Sequence, residues 1–243
     1  DGTLERLGPR HPGVKWIRFE ENRGFAAAAN AGIRAAEGEI VVLMSNDVEA
    51  DPDWLLALVS ALDAHPEAAS CASKMLVHAD PSRIDSAGVQ LGVFASQIGH
   101  GESDAPPYDK PRYVFAPCAG AAAYRRTALD EVGLFDERFF AYFEDVDLGV
   151  RLQLAGYRCL YVPGAVVRHR VSATAARVPS MKFYLLMRNA LFLFFQTMPV
   201  GRMLLWAPLV IAWPFVRSRL DHQPLRLAAR VVLDFLRDLP AVV

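Results

Sequence analysis

Three acidic residues, Glu144, Asp145 and Asp147, stand directly behind an aromatic run, Phe139, Phe140, Tyr142 and Phe143, and directly ahead of an apolar stripe with helical spacing. The stripe is Leu148, Leu152 and Ala155, at i, i+4 and i+7. Asp147 and Arg151 make an i,i+4 acid-to-base pair, and Gly156 is suited to end the helix. The acids therefore fall in the first helical turn. Carboxylates there can do no more than satisfy orphan N–H groups and the macrodipole. Alternatively, the aromatic wall desolvates them in part, and one carboxyl pKa rises toward the range useful for a general base.

The elements that would position these acids lie on both sides. Residues 14–19 (VKWIRF) read as a short strand, and EENRG turns the chain into an Ala-rich helix over about residues 25–36 that Gly38 closes. A Gly-containing turn at a helix start presents backbone N–H groups suited to phosphate, although most such turns bind nothing. Residues 39–44 (EIVVLM) predict a buried parallel strand emptying into Ser45-Asn46-Asp47, at the strand end where open α/β sheets bind ligands. Asp51 as N-cap and Pro52 at the first position begin a helix that buries Trp54, Leu55, Leu58 and Leu62. A strand near residues 69–77 and Gly-punctuated hairpins over residues 86–111 follow. Residues 113–125 predict a strand whose small residues, Cys118 to Ala121, admit either a ligand or tight helix packing. Arg125 and Arg126 suit phosphate neutralisation and helix solvation equally. A last strand over residues 157–167 exits on Arg168-His169-Arg170, and residues 171–179 read as a mobile loop.

The blocks ENRGFAAAANAGIRAAEGEIVVLMSNDVEADPDWL, CAGAAAYRRTALDE, VGLFDERFFAYFEDVDLGVRLQLAG and PGAVVRH occur in that order. Together they resemble the family-two, GT-A-type inverting glycosyltransferases, in the branch that includes rhamnosyltransferase-like enzymes. The resemblance runs from residue 1 to about residue 180. It implies a GT-A-like α/β catalytic domain (residues 1–180) with a mixed, mainly parallel sheet and flanking helices, extended by a C-terminal helical tail (residues 181–243). It places Asn22, Gly24 and Asn30 beside the donor nucleotide and Gly120 at the sugar pocket. Asp47 would hold a divalent cation, Mg²⁺ or Mn²⁺, against the donor diphosphate, with His169 closing the site and ligating the metal. Ser45 stands where the family commonly has Asn or Asp, so a hydroxyl or water-mediated contact is expected there. Asp145 would be the base that removes the acceptor proton, while Glu144 and Asp147 orient base and acceptor. Asp104 matches the acid of a G-x-G…D segment and reads as a loop stabiliser.

The implied reaction is inverting transfer from a nucleotide-diphospho-sugar to a saccharide or lipid-linked saccharide hydroxyl, in cell-surface polysaccharide or glycolipid synthesis. Two other classes compete: a non-catalytic GT-A-like subunit that binds a partner through the tail, and a nucleotidyltransferase, for which no G-x-G-T-R-like loop is present. Asp1-Gly2-Thr3-Leu4 resembles the close of the family's opening strand–helix–strand block. The expectation is an N-terminally incomplete domain, with part of its nucleotide pocket and negligible transfer on its own.

At 53% hydrophobic residues and a mean hydropathy of +0.17, the chain carries apolar surface that must be placed somewhere. Residues 151–243 hold 13 Lys/Arg against 3 Asp/Glu, a net of +10, which leaves −11 for residues 1–150. An acidic catalytic half thus precedes a basic, apolar tail. The longest uncharged run in the tail, residues 203–216, is 14 long and holds Pro208 and Pro214, so helices lying on an anionic membrane are expected rather than a span. The competing reading is a helical layer packed on protein. Cys71, Cys118 and Cys159 are widely spaced and indicate neither a zinc site nor a disulfide framework. The location expected is the cytoplasm, peripheral at the inner membrane face, with no nucleic-acid partner.

Overall fold

A computed structural model describes residues 2–92, 94–170 and 178–239 of the chain, so most of the loop expected over residues 171–179 lies outside the described residues. The chain opens with α1 (Thr3–Leu7) and a 3-10 turn (Gly8–Arg10), followed after an irregular stretch by α2 (Gly24–Ala35). Residues 14–19 are not the strand that their composition suggests. Val14, Trp16 and Ile17 are exposed, and no described strand pairs with them. An extended run becomes a strand only when a neighbour completes its backbone hydrogen bonds.

Then come β1 (Ile40–Met44), β2 (Val48–Ala50), α3 (Trp54–Ala64), β3 (Ala68–Val77), β4 (Asp80–Ser86), β5 (Val89–Leu91) and β6 (Ala95–Gln97). After these the chain runs through β7 (Arg112–Val114), β8 (Ala121–Arg125), α4 (Arg126–Val132), α5 (Glu144–Leu154) and β9 (Arg158–His169). The main sheet has the order β1-β8-β3-β9-β2, with β4 added to β3 and β7 to β9, while β5 and β6 form a separate hairpin. The sheet is mixed, but parallel pairing is confined to β3–β9. In particular β1 runs antiparallel to β8, from Ile40 opposite Arg125 to Met44 opposite Ala121. Apolar periodicity reports burial; it carries no information about the direction of the partner.

Helices cover both faces. α2, α4 and α5 pack Ile33, Leu129, Leu148 and Leu152 against Val41, Ala122 and Tyr124 on one side. On the other, α3 buries Trp54, Leu58 and Leu62 against Met75, Leu160 and Val167. α3 begins two residues later than its cap signal, with Asp53 at the N-cap position, and the Asp51 carboxylate accepts from Arg168 instead of capping the helix. The single strand expected over residues 113–125 is broken at its small residues into β7 and β8, which pair with different partners. Arg125 donates to the Leu62 carbonyl in the last turn of α3 and to that of Ala68 at the start of β3, and Arg126 to those of Ala36 and Gly38 just past α2. Both arginines therefore cap helix ends and do not reach toward phosphate.

Residues beyond the sheet form α6 (Pro179–Thr197), α7 (Val200–Leu220) and α8 (Leu225–Asp238). Leu191, Phe192, Leu193 and Phe194 of α6 share one core with Phe139, Val146 of α5, and Val231 and Phe235 of α8. Pro208 and Pro214 do not interrupt α7, a continuous 21-residue helix long and apolar enough to cross a membrane, contrary to the expectation from its uncharged run. Only 11% of its apolar window is buried.

Candidate functional site

A cleft of about 650 Å³ opens at one edge of the sheet, and six of the nine candidate donor, metal and catalytic residues line it: Asn22, Asp47, Gly120, Glu144, Asp145 and His169. One wall is built from strand ends. Val48 of β2 pairs with His169 of β9, so the turn that precedes β2 brings Asp47 Oδ2 to 3.5 Å from His169 Nε2. From β4, Asp85 Oδ2 accepts from His169 Nδ1 at 2.7 Å. The other oxygen of Asp85 lies 3.3 Å from His100 Nδ1. The Asp85 bond, with the Asp47 carboxylate opposite, raises the His169 pKa against the opposing effect of burial.

The strand-end wall suits a divalent cation. Two donors at about 2.1 Å and near right angles are about 3 Å apart, close to the Asp47–His169 spacing, and a ligating histidine usually gives its other ring N–H to a carboxylate, the place Asp85 takes. No group of three or more His, Cys, Asp or Glu side chains is assembled for a metal among the described residues. Asp47 and His169 therefore fit an ion that keeps waters and substrate phosphates as its remaining ligands. Ser45 also lines this part of the cleft.

A second wall is the start of α5, which lines the same cleft. Glu144 and Asp145 are both buried in its first turn, behind Phe143 at the N-cap position. Asp145 Oδ2 accepts from Ala119 N at 3.1 Å, and its Oδ1 from Val146 N at 2.9 Å. Glu144 Oε2 is buried without a hydrogen-bond partner among the described residues. Burial raises both carboxyl pKa values; Glu144, facing the Asp145 charge as well, is pushed up to about 8. Backbone N–H groups of Ala119, Val146 and Asp145 itself oppose that rise at Asp145, whereas at Glu144 the opposing backbone N–H is its own. The pair is thus poised with Asp145 the more readily ionised and Glu144 the more readily protonated, two carboxyls set apart by environment.

The segment that delivers the acids is strained. Phe140 (φ 66°, ψ −63°) centres a γ-turn of the rare hand, closed by Ala141 N donating to Phe139 O at 2.8 Å. Tyr142 and Phe143 also have positive φ, 71° and 69°. Each such bulky residue costs on the order of 1–3 kcal/mol, a cost that concentrates at functional sites. Gly24 allows this turn to approach, since a Cβ there would lie 2.3 Å from the Phe140 carbonyl oxygen.

Three of the nine candidate donor, metal and catalytic residues, Gly24, Asn30 and Asp147, do not line the cleft. Gly24 acts on the backbone, and its own N–H is taken by Asn22 Oδ1 at 2.9 Å. Together with Ala26 N donating to Phe140 O at 3.2 Å, this uses two of the N–H groups that the α2 start was expected to offer a phosphate. Asn30 is buried and ties the Phe135 N–H and C=O to α2, at 3.0 and 2.8 Å. Asp147 turns to Arg151, at 2.7 Å, on the side of α5 away from the cleft. Asp104 holds Lys74 at 2.6 Å, a loop contact. Sequence reasoning missed Asp85 and His100. The available signal at Asp85 was an acid between Ile84 and Ser86 in a stretch that is otherwise buried.

Known proteins resemble the chain in sequence and in fold. It is 30% identical to the N-acetylglucosaminyl-diphospho-decaprenol L-rhamnosyltransferase of Mycobacterium tuberculosis over 208 aligned residues, 74% of this chain and 66% of that protein. It is also 30% identical to the O-antigen biosynthesis protein RfbC of Myxococcus xanthus, over 72% of this chain and 14% of that one. The chain thus spans about two thirds of the mycobacterial relative and a small part of the other. Among solved structures, the mannosyltransferase PcManGT of Pyrobaculum calidifontis, in complex with GDP-Man and Mn²⁺, superposes with a TM-score of 0.55 at 20% identity, over 99% of this chain and 63% of that one. GalNAc-T7 with UDP, GalNAc and Mn²⁺ gives 0.56 at 13% identity, over 93% and 51%. The fold is that of the GT-A glycosyltransferases. The profile of glycosyl transferase family 2 matches residues 1–133, more than half of the sequence, and the chain belongs to that family.

Proposed function

We propose that the chain transfers a sugar from a nucleotide-diphospho-sugar to the hydroxyl of a saccharide or lipid-linked saccharide, with inversion, in cell-surface polysaccharide or glycolipid synthesis. The observation that carries the reading is that two acidic groups, Asp47 with His169 and Glu144 with Asp145, line one cleft. Asp145 takes the acceptor proton as that oxygen attacks the anomeric carbon and the bond to the diphosphate breaks. Glu144, holding its proton, hydrogen-bonds the acceptor. Asp47 and His169 hold a divalent cation, Mg²⁺ or Mn²⁺, and Asp85 orients His169. When bound, the cation supplies positive charge that stabilises the departing nucleoside diphosphate. Asn22, Ser45 and Gly120 form the donor end of the cleft.

Support for the acceptor class comes from the mycobacterial relative, whose name specifies a diphospho-decaprenol carrier, and support for the metal from the Mn²⁺ in both structural neighbours. A thermal-shift series with nucleoside diphosphates and their sugars, with and without Mn²⁺, tests the reading. Selective binding to the folded state at 100 times Kd adds about 2.7 kcal/mol of stability. Mn²⁺-dependent stabilisation by at least one nucleotide sugar is expected; stabilisation by none overturns the reading and favours a non-catalytic subunit.

A second element of the proposal is a peripheral site at the inner face of the membrane. On α7, Leu204, Leu205 and Leu209 are 63–71% exposed, and Arg202, Arg217 and Arg219 flank them. Such a helix suits the interface of an anionic bilayer, where a lipid-linked acceptor would reside.

A further inference from the structure

We propose that Asn189, oriented by Arg188, is a positioning residue of this cleft: it clamps the strained segment that presents Glu144 and Asp145. The proposal rests on the transferase reading above and adds to it a residue from the C-terminal helices. Asn189 lies in the apolar run of α6 and is fully buried. A buried amide in such a place is costly unless it is satisfied. Here its Nδ2 lies 2.9, 2.8 and 2.7 Å from the carbonyl oxygens of Phe139, Ala141 and Tyr142. Two amide protons serve three acceptors, so one is shared. Its Oδ1 accepts from Arg188 Nε and Nη2, at 3.0 and 2.9 Å, which fixes the plane of the amide. Arg188 Nη2 also reaches the carbonyls of Arg138 and Phe139, and its guanidinium lies over the rings of Tyr184 and Phe192.

The two carbonyls that Asn189 does not reach are held from elsewhere. Ala26 N of α2 donates to Phe140 O, and Asp147 N of α5 to Phe143 O. Every carbonyl from Phe139 to Phe143 is therefore fixed, and the acids follow at the next two positions. Packing of α6 does not itself require the amide, because Leu191, Phe192, Leu193 and Phe194 already anchor the helix in an apolar core. What the amide adds is a conformation. Without it, one buried and two part-buried carbonyls lose a donor and the positive-φ residues are free to relax, which displaces Glu144 and Asp145 from the geometry of transfer.

The test compares Asn189→Ala and Arg188→Met with the wild type in the full protein, reading steady-state kinetics and amide exchange together. Asn189→Ala is expected to lower kcat about 100-fold with the donor KM within about twofold, since small misplacements of catalytic groups have effects of that size. Exchange in residues 139–145 should quicken by about tenfold or more while β3 and β9 stay protected. Arg188→Met should act in the same direction, by about tenfold in kcat. If Asn189→Ala does not fold, Arg188→Met decides by the same two readings. A folded variant with wild-type kcat overturns the proposal, as does exchange that rises equally in β3 and β9. Absence of transfer in the wild type would count against the function, whereas the exchange of residues 139–145 would still decide the clamp.

Discussion

The strand-end wall of the cleft and its helix-start wall use the same functional group and treat it differently. Asp47 and Asp85 are each set against an imidazole, in a chain that runs from Asp47 through His169 and Asp85 to His100. Glu144 and Asp145 are instead buried behind aromatic residues, and one Glu144 oxygen has no hydrogen-bond partner among the described residues. Carboxylates of the first kind are arranged to share positive charge, while carboxylates of the second kind are arranged to hold or release a proton. The difference comes from what surrounds the acids, since both walls hold ordinary Asp and Glu.

The largest effect is expected when the proposed proton acceptor is replaced. Asp145→Asn should lose about 10²–10⁴ in turnover while donor binding survives, and Glu144→Gln should lose less. A reversed order would transfer the base to Glu144. On the other wall, Asp47→Ala should weaken Mn²⁺-dependent binding of the nucleoside diphosphate by about 100-fold, with little effect on the free nucleoside. Asp85→Asn should weaken it by about 10- to 100-fold through the orientation of His169, as calorimetric titration with Mn²⁺ would show. Equal effects on nucleoside and diphosphate would remove the metal from this wall.

The helix-start wall also predicts a stability signature. Because the fold raises the Glu144 pKa to about 8, it favours the protonated form. Its stabilising contribution is complete below the unfolded value of about 4.3 and is lost as pH rises toward the folded value. Glu144→Gln cannot ionise, so its Tm relative to the wild type should climb by about 5 °C between pH 5 and pH 9. A difference that does not change with pH would show the carboxyl to be solvated. The smallest effect concerns α7: Leu204→Glu with Leu209→Glu should weaken binding to anionic liposomes by about tenfold, and binding of the unmodified protein should itself weaken with salt.

Much of the cleft was legible because its parts announce themselves locally. Glu144 and Asp145 stand out by their place between an aromatic run and a helical stripe, and His169 by its position at a strand exit. Gly156 ends α5 with φ 89°, and the Asp147–Arg151 pair forms as its spacing requires. Less legible were contacts between distant segments. Asn30 and Gly24 look like donor contacts when the chain is read in order, yet they fasten the loop before α5 to α2. Residues 14–19 have strand composition without a ladder partner, and β1 has the apolar run of a parallel strand in an antiparallel pair.

Residue order alone was enough to determine the elements that depend on nearest neighbours: the amphipathic helices, the apolar strands, the acids in a first turn, and the family pattern to which they belong. Tertiary structure alone decided what each polar group meets. It set Asp85 behind His169 across β3, left Glu144 Oε2 without a partner among the described residues, and brought Asn189 from the apolar tail onto three carbonyls before the acids. The physical reason is that helix and strand signals are carried by spacings of a few residues. Hydrogen bonding and burial depend on segments up to about half the chain apart, whose meeting is fixed only when the sheet register and the helix packing are complete.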